Sequence, residues 1–353
     1  MFKILSLDGG GIRGAFTAAC LAEWEKQLGG KLGDYFDLIA GTSTGGIIAA
    51  GLAAGLPAEK IVEFYRGKGA AIFLPRGKAK IDNFWLRLVS PLLRREFRNR
   101  LGIEFDDLFQ CKYDADALEE SLVEVFGDQV VGDVRGARLL LPSIDTIVGR
   151  TTVFKTPHLP GLTRDRHFKI VDVLRATTAA PTYFPQATFS RDAAYVDGGL
   201  WANNPGMVAY AEAIKIRECM IKATGEEPFR LDDIRVLSLG TGEFSYSHSP
   251  PANGPGIGYW VPKIADLMSI SQSQGVHFQL QYLLGSRYHR TNFQLPDSSW
   301  QLDNVARLTD LMHVGRTRAH DDWKFARDPY FKSTVTPYVP FTEQELDLEE
   351  KAA

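Results

Sequence analysis

An apolar run that stops at a glycine-rich turn narrows the folds open to this chain more than anything else in it. Phe2-Lys3-Ile4-Leu5-Ser6-Leu7 leads straight into Asp8-Gly9-Gly10-Gly11-Ile12-Arg13-Gly14, and an amphipathic stretch continues to Leu28. The run reads as a buried strand and the stretch as a helix. Tyr35–Gly41 reads as a second strand and 44–54 as a second helix, and Pro57 stands at the first turn of a third. This β-α-β-α-α rhythm predicts an α/β fold with a mostly parallel sheet and helices on its faces.

Further along, 114–126 reads as helix, and 138–147 with 151–156 reads as two strands, a candidate hairpin. Helix returns at 170–179, followed by the Pro-bracketed turn Ala180–Pro185, the strand at 193–199, helix at 205–222 and the strand 234–242. The Ser/Pro/Gly stretch 243–258 is the best linker candidate. Helices are expected at 260–284 and 302–327, with a strand near 287–295 between them. Residues 71–100 differ from their surroundings, holding eight Lys/Arg against two acids, interleaved with Phe84, Trp85, Leu86, Leu92, Leu93 and Phe97. That mixture suits a segment lying on an anionic lipid surface; it suits equally a lid whose aromatics pack on the body. The last ten residues are acidic and are expected to fray.

Composition removes several classes. A net charge of −3 gives no basic field for a nucleic acid polymer. Three scattered cysteines, Cys20, Cys111 and Cys219, suit a reducing compartment and offer neither a disulfide framework nor a metal site. Met1–Leu7 is too short for a secretory apolar core, and the apolar stretch 47–56 is too short to span a bilayer. A cytoplasmic protein is expected, meeting a membrane only from its surface.

The chemistry-bearing residues fall in three places. Gly41-Thr42-Ser43-Thr44-Gly45 is G-x-S-x-G between a predicted strand and a predicted helix, the setting a nucleophile elbow needs. There Ser43 is exposed on a sharp turn and the Thr44 N–H sits at a positive helix N-terminus. None of the seven histidines lies in a recognisable motif, so a carboxylate is the alternative base. Asp197 ends an apolar strand and is followed by Gly198 and Gly199, which puts it at the sheet edge where Ser43 also emerges. A free Asp, with a pKa of about 3.9, is a poor base for serine and needs burial to become a better one. The third place is the opening turn. Gly9, Gly11 and Gly14 spell G-x-G-x-x-G, a pyrophosphate fingerprint, yet no acidic residue closes the second strand, since Asp34 lies before it and Asp37 within it. Three consecutive glycines offer their N–H groups equally well to an oxyanion.

Taken in order, Asp8–Gly14, Gly41–Gly45 and Asp197-Gly198-Gly199 resemble the pattern D-G-G-G-x-R-G, G-x-S-x-G, D-G-[GA] of the patatin-like phospholipase family. Ala176–Gln186, Val236–Gly242 and Arg287–Asn292 are similar to further pieces of it, so the likeness spans roughly residues 1–295. The resemblance implies a three-layer patatin-like fold with a Ser-Asp dyad. Ser43 is then the nucleophile and Asp197 the base. The backbone of Gly9, Gly10 and Gly11 forms the oxyanion hole, Arg13 steadies that loop or neutralises charge, and Gly41, Gly45, Gly198 and Gly199 support the motifs.

It also implies a calcium-independent phospholipase A-type acyl hydrolase of membrane glycerophospholipids, with no cofactor and no metal, in peripheral contact with the inner membrane when active. Bacterial family members of this size include phospholipases switched on by cyclic nucleotides in antiphage defence, which makes a cyclic nucleotide activator and a homodimer further expectations. A non-lipid serine esterase or a protease is the rival reading. In domain terms, 1–295 is expected to be the catalytic unit, with 71–135 as an insertion or cap, and 296–353 a helical extension packed on it.

Overall fold

The computed structural model describes residues 1–76, 95, 110–190, 192–244 and 257–341. Its strands are β1 (Phe2–Leu7), β2 (Leu38–Gly41), β3 (Arg138–Asp145), β4 (Arg150–Lys155), β5 (Ala187–Ser190), β6 (Ala193–Asp197), β7 (Ile234–Leu239) and β8 (Tyr288–Thr291). They form one sheet in the order β5-β6-β3-β2-β1-β7-β8, with β4 also on β3. The run from β3 through β8 is parallel; β4 and β6 oppose β3, and β5 opposes β6. The described helices of four or more residues are α1 (Gly14–Leu28), α2 (Thr44–Ala53), α3 (Ala58–Ile72), α4 (Asp116–Phe126), α5 (Ile170–Thr178), α6 (Gly199–Ala202), α7 (Gly206–Thr224), α8 (Ile257–Leu284) and α9 (Leu308–Tyr330).

Alternate strand residues feed two separate cores. Leu5, Leu7, Ile39, Leu139, Leu141, Leu237 and Leu239 pack with α1 to α5 and α9. Phe2, Ile4, Leu38, Ala40, Leu140, Ile234 and Val236 pack with Ala209, Ala213 and Ile216 of α7 and with Val276, Leu280 and Leu284 of α8. Burial on both faces is why the central strands read as continuous apolar runs rather than alternating ones. The three-layer arrangement expected from the sequence is therefore the one observed.

Helix α9 lies on α1. The buried Trp24 indole donates to Ala319 O at 2.8 Å, and a Cβ at Gly315 would stand 2.4 Å from Phe16 O. The helix starts later than its sequence suggests. Asn304 turns its side chain back to accept from Ala306 N at 3.1 Å, which caps a short turn, and Leu302 O is spent on Ile12 N at 2.7 Å.

The linker reading of 243–258 is corrected. β7 and β8 are parallel neighbours joined through α8, so this stretch belongs to a crossover within the sheet. Residues 245–256 of it lie outside the described residues, as do the acidic tail and the cationic-aromatic side chains Phe84, Trp85, Leu86, Leu92, Leu93, Arg94 and Phe97. The chain leaves for that segment and returns from it side by side: Arg76 N donates to Lys112 O at 2.9 Å, and Pro75 pairs with Tyr113. Among the described residues no helix is long and apolar enough to cross a membrane.

One detail of the pairing positions everything that follows. Leu140 pairs with both Ala40 and Lys155, so β2 and β4 take opposite edges of β3. Ser143 pairs with both Thr152 and Asp197, so β6 and β4 also take opposite edges. β2 and β6 therefore share one edge, and because one is parallel and the other antiparallel to β3, their C-terminal ends meet. Pro142 lies at the junction. Arg138 and Thr146 turn their N–H groups to this edge, and the alternation puts the Pro142 nitrogen there too. A proline inside a sheet is tolerated where the ladder is interrupted, which is its situation here.

Candidate active site

Ser43 follows the end of β2. Its backbone is at φ 55°, ψ −125°, a conformation that costs a non-glycine residue about 1–3 kcal/mol and persists only when neighbours enforce it. They do. Thr42 N donates to Leu7 O at 3.1 Å and its hydroxyl to Ala202 O at 2.6 Å. Ser43 N donates to the Thr177 hydroxyl at 3.0 Å, and that hydroxyl donates to Pro142 O at 2.6 Å. The motif glycines allow the approach of α2 to the sheet. A Cβ at Gly45 would lie 2.3 Å from Leu7 O, and one at Gly41 only 2.1 Å from Gly45 O.

Asp197 ends β6, opposite. Its N–H donates to Ala179 O at 3.0 Å, and a Cβ at Gly198 would meet Pro142 O at 2.3 Å, so β6 must finish in glycine to close on β3. The carboxylate is buried, accepts from Gly199 N at 2.7 Å and faces the Ser43 hydroxyl. Burial pushes its pKa up to about 6, against the lowering effect of the Ser43 hydroxyl and the Gly199 N–H. The two side chains singled out in the sequence are thus brought to the same place.

The glycine turn lies alongside. A Cβ at Gly9 would be 3.2 Å from Ser43 Cβ and 2.5 Å from Asn203 Oδ1. One expectation changes here. Gly9 N–H already donates to Asn203 O at 3.0 Å, so it is a closely fitted spacer rather than an oxyanion donor. The N–H groups of Gly10 and Gly11 donate to no acceptor among the described residues. Gly11 has φ +55°, and a Cβ there would lie 2.2 Å from Leu302 O, so only glycine fits. The Arg13 guanidinium lies over the Phe244 ring at 5.8 Å and lowers the pKa of Asp266, which burial, the larger influence, raises.

His158 and His289, two of the histidines considered as bases, are engaged elsewhere. His158 bonds Thr156 and Glu212 at 2.9 and 3.1 Å beneath α7, and His289 faces Asp322 of α9 at 3.7 Å.

Residues 5–210 match the family model described as patatin-like phospholipase. The chain belongs to the patatin-like phospholipase family. It is 34% identical over 328 residues to a cGAMP-activated phospholipase of Pseudomonas aeruginosa, covering 91% of this chain and 86% of that one. A cGAMP-activated phospholipase of Vibrio cholerae is 36% identical over 265 residues, 73% of this chain and 69% of its own. Patatin-like protein 1 of Oryza sativa subsp. indica is 32% identical over 268 residues, 69% of this chain and 59% of the plant protein. As a member of this family the chain is a lipid hydrolase.

Around this patatin-like site the structure adds residues that sequence reading passed over. Asp8, the first letter of D-G-G-G-x-R-G, is buried and clasped by Arg290 of β8, with Nη2 on Oδ2 at 2.6 Å and Nη1 on Oδ1 at 3.2 Å. Ser273 of α8 donates to the same Oδ2 at 3.2 Å. Burial alone would lower the Arg290 pKa, but the Asp8 carboxylate and its hydrogen bonds more than reverse this and raise it. Ser269, Gln272 and Ser273 form one face of α8. Ser273 Oγ accepts from Asn203 Nδ2 at 3.0 Å, Gln272 Oε1 from Asn204 N at 2.8 Å, and Ser269 reaches Gly199 O at 3.5 Å. Their i, i+3, i+4 spacing, which places them on one helix face, was the available signal.

Removing one member of a buried ion pair strands the other, at a cost of about 3–5 kcal/mol. Arg290→Met is therefore expected to lower the urea midpoint sharply, and Asp8→Leu/Arg290→Met to recover much of the loss. Equal stability of Arg290→Met and wild type would show that the pair does not hold the glycine turn.

Proposed function

We propose that this chain hydrolyses fatty acyl esters of membrane glycerophospholipids through Ser43 and Asp197, releasing fatty acid and lysophospholipid in the manner of a phospholipase A, without calcium. The observation that carries the reading is the Ser43 hydroxyl facing a buried carboxylate whose pKa burial raises to about 6, beside the unengaged Gly10 and Gly11 N–H groups.

Asp197 accepts the Ser43 proton as Oγ attacks the ester carbonyl. The tetrahedral oxyanion is received by the Gly10 and Gly11 N–H groups and the Thr44 N–H at the α2 N-terminus. The C–O bond to the lysolipid breaks, and its oxygen takes the proton from Asp197. A water then gives its proton to the same carboxylate and attacks the acyl-enzyme, and as the acyl–Oγ bond breaks Ser43 Oγ takes that proton back and the fatty acid is freed. A carboxylate near pKa 6 is a stronger base than a free one yet largely ionised at neutral pH, which suits this work.

The relatives named as cGAMP-activated favour a second element, activation by a cyclic dinucleotide. The experiment is mass spectrometry of lipids after incubation with phosphatidylethanolamine/phosphatidylglycerol vesicles in EDTA, with and without cGAMP. Release of free fatty acid and lysophospholipid, increased by cGAMP, is expected. Release that ignores cGAMP removes the activation, and intact lipid under both conditions removes the phospholipase reading.

A further inference from the structure

We propose that Thr241 is a positioning residue that aims the Gly10 N–H at the oxyanion, an inference that rests on the Ser43 ester chemistry proposed above. Thr241 follows β7 and is buried. Its hydroxyl donates to Gly9 O at 2.7 Å, across 232 residues of chain. No cis peptide occurs among the described residues, so the N–H of the Gly9–Gly10 peptide points opposite to its C=O. With the Gly9 carbonyl held on Thr241, the Gly10 N–H is turned away from Thr241, and it donates to no acceptor among the described residues.

This peptide needs such a hold. It can reverse by rotating ψ of Gly9 and φ of Gly10, and neither residue has a Cβ to resist. Reversed, it would offer a carbonyl oxygen where the tetrahedral intermediate places its negative charge. Its neighbours are fixed by other means. Gly9 N donates to Asn203 O at 3.0 Å. Gly10 O accepts from Arg13 N at 3.1 Å within the local turn, and that alone orients the Gly11 N–H. The Gly9–Gly10 peptide instead takes its orientation from a side chain on a distant strand end. Thr241 also fills the space beneath it: a Cβ at Gly10 would lie 2.2 Å from Thr241 Oγ1 and 2.9 Å from its Cγ2.

The Thr241 backbone is itself indexed on both sides. Gly240 N donates to Thr291 O at 2.9 Å, and Gly240 O accepts from the Thr17 hydroxyl at 2.9 Å. Gly242 N donates to Asn292 Oδ1 at 2.9 Å. β8 and α1 thus set where the hydroxyl stands. Any buried hydroxyl needs a partner. This one takes the carbonyl of a glycine so close to the nucleophile that its Cβ would be 3.2 Å from Ser43 Cβ.

The test is kinetic, on phosphatidylethanolamine/phosphatidylglycerol vesicles with cGAMP. Thr241→Val is expected to lower kcat by about 10²-fold, the scale of one oxyanion donor, with KM within about twofold. Thr241→Ser keeps the hydroxyl and is expected to hold kcat within about threefold of wild type. A trifluoromethyl ketone, to which Ser43 Oγ adds to give a tetrahedral oxyanion, should lose affinity for Thr241→Val by the same factor as kcat, while vesicle binding stays unchanged. A fold that had merely loosened would not single out the tetrahedral state and would not be restored by serine. Should Thr241→Val unfold by circular dichroism, Thr241→Ala takes its place, since it removes the hydroxyl and sets no methyl against Gly9 O. A folded variant without the hydroxyl that turns over within about threefold of wild type overturns the proposal. So does an equal loss in Thr241→Ser, and so does a loss confined to KM. Those outcomes leave the Ser43 reading standing, whereas a wild type that neither releases fatty acid nor binds the ketone removes both.

Discussion

Ser43→Ala is expected to lower phospholipid turnover by about 10⁵-fold, the scale on which a serine nucleophile matters when it works as a unit with its base. Several positions support this one hydroxyl and do nothing else visible. The Ser43 backbone is held in a strained conformation by Thr42 and Thr177, and Gly41 and Gly45 give up side chains to let α2 close on β1. Alanine at 43 retains the backbone and the N–H groups of Gly10 and Gly11, so lipid binding should persist while acyl transfer stops. Fatty acid release, together with labelling of the wild type but not the variant by a fluorophosphonate, measures this. A folded Ser43→Ala protein within tenfold of wild-type turnover would falsify Ser43 as nucleophile.

Asp197→Asn should lose about 10⁴-fold in turnover and at the same time gain stability at pH 8. The activity loss follows from removing the carboxylate that faces the Ser43 hydroxyl and can take its proton. The stability gain follows from the carboxyl itself. Its pKa is about 6 in the folded chain, raised by burial, against about 3.9 unfolded. The folded state therefore binds the proton more tightly than the unfolded state. The charge costs nothing below about pH 4, and the cost grows as pH rises through 6, to about 3 kcal/mol above it. A neutral amide avoids most of that, so a gain of about 1–3 kcal/mol, or roughly 2–5 °C in Tm, is expected at pH 8 and little at pH 4. The wild-type rate should rise with pH and level off above about pH 6. An Asn variant as unstable as wild type at pH 8 would show that the carboxylate is not paying a desolvation cost.

Much of this was legible in the chain. The strand–glycine–helix rhythm of the first 54 residues predicted the parallel centre of the sheet, and G-x-S-x-G between strand and helix marked Ser43. Asp197 was visible because an apolar strand ends on it. The meeting of β2 and β6 was not visible, because it depends on which edge of β3 each strand takes, and edge choice leaves no local trace. Pro142 is accommodated within β3 by that junction. Arg290 was hidden for the same reason: it and Asp8 are brought together by the pairing of β7 between β1 and β8. Gly9 could not be told from Gly10 and Gly11 in sequence, since what separates them is whether Asn203 O has already taken the N–H.

The shared edge of β3 has a consequence for how this site tolerates change. Ser43 and Asp197 arrive on strands that do not pair with each other, and each is indexed against a third. The gap between these two side chains is therefore a count of residues along β3. One residue of slip on either side shifts an end by about 3.3 Å, more than a hydrogen bond can stretch. β3 is in effect a ruler, and its markings are read far from any substrate. A residue inserted or deleted between Leu140 and Ser143 would move one carrier strand against the other, even with every motif residue unchanged.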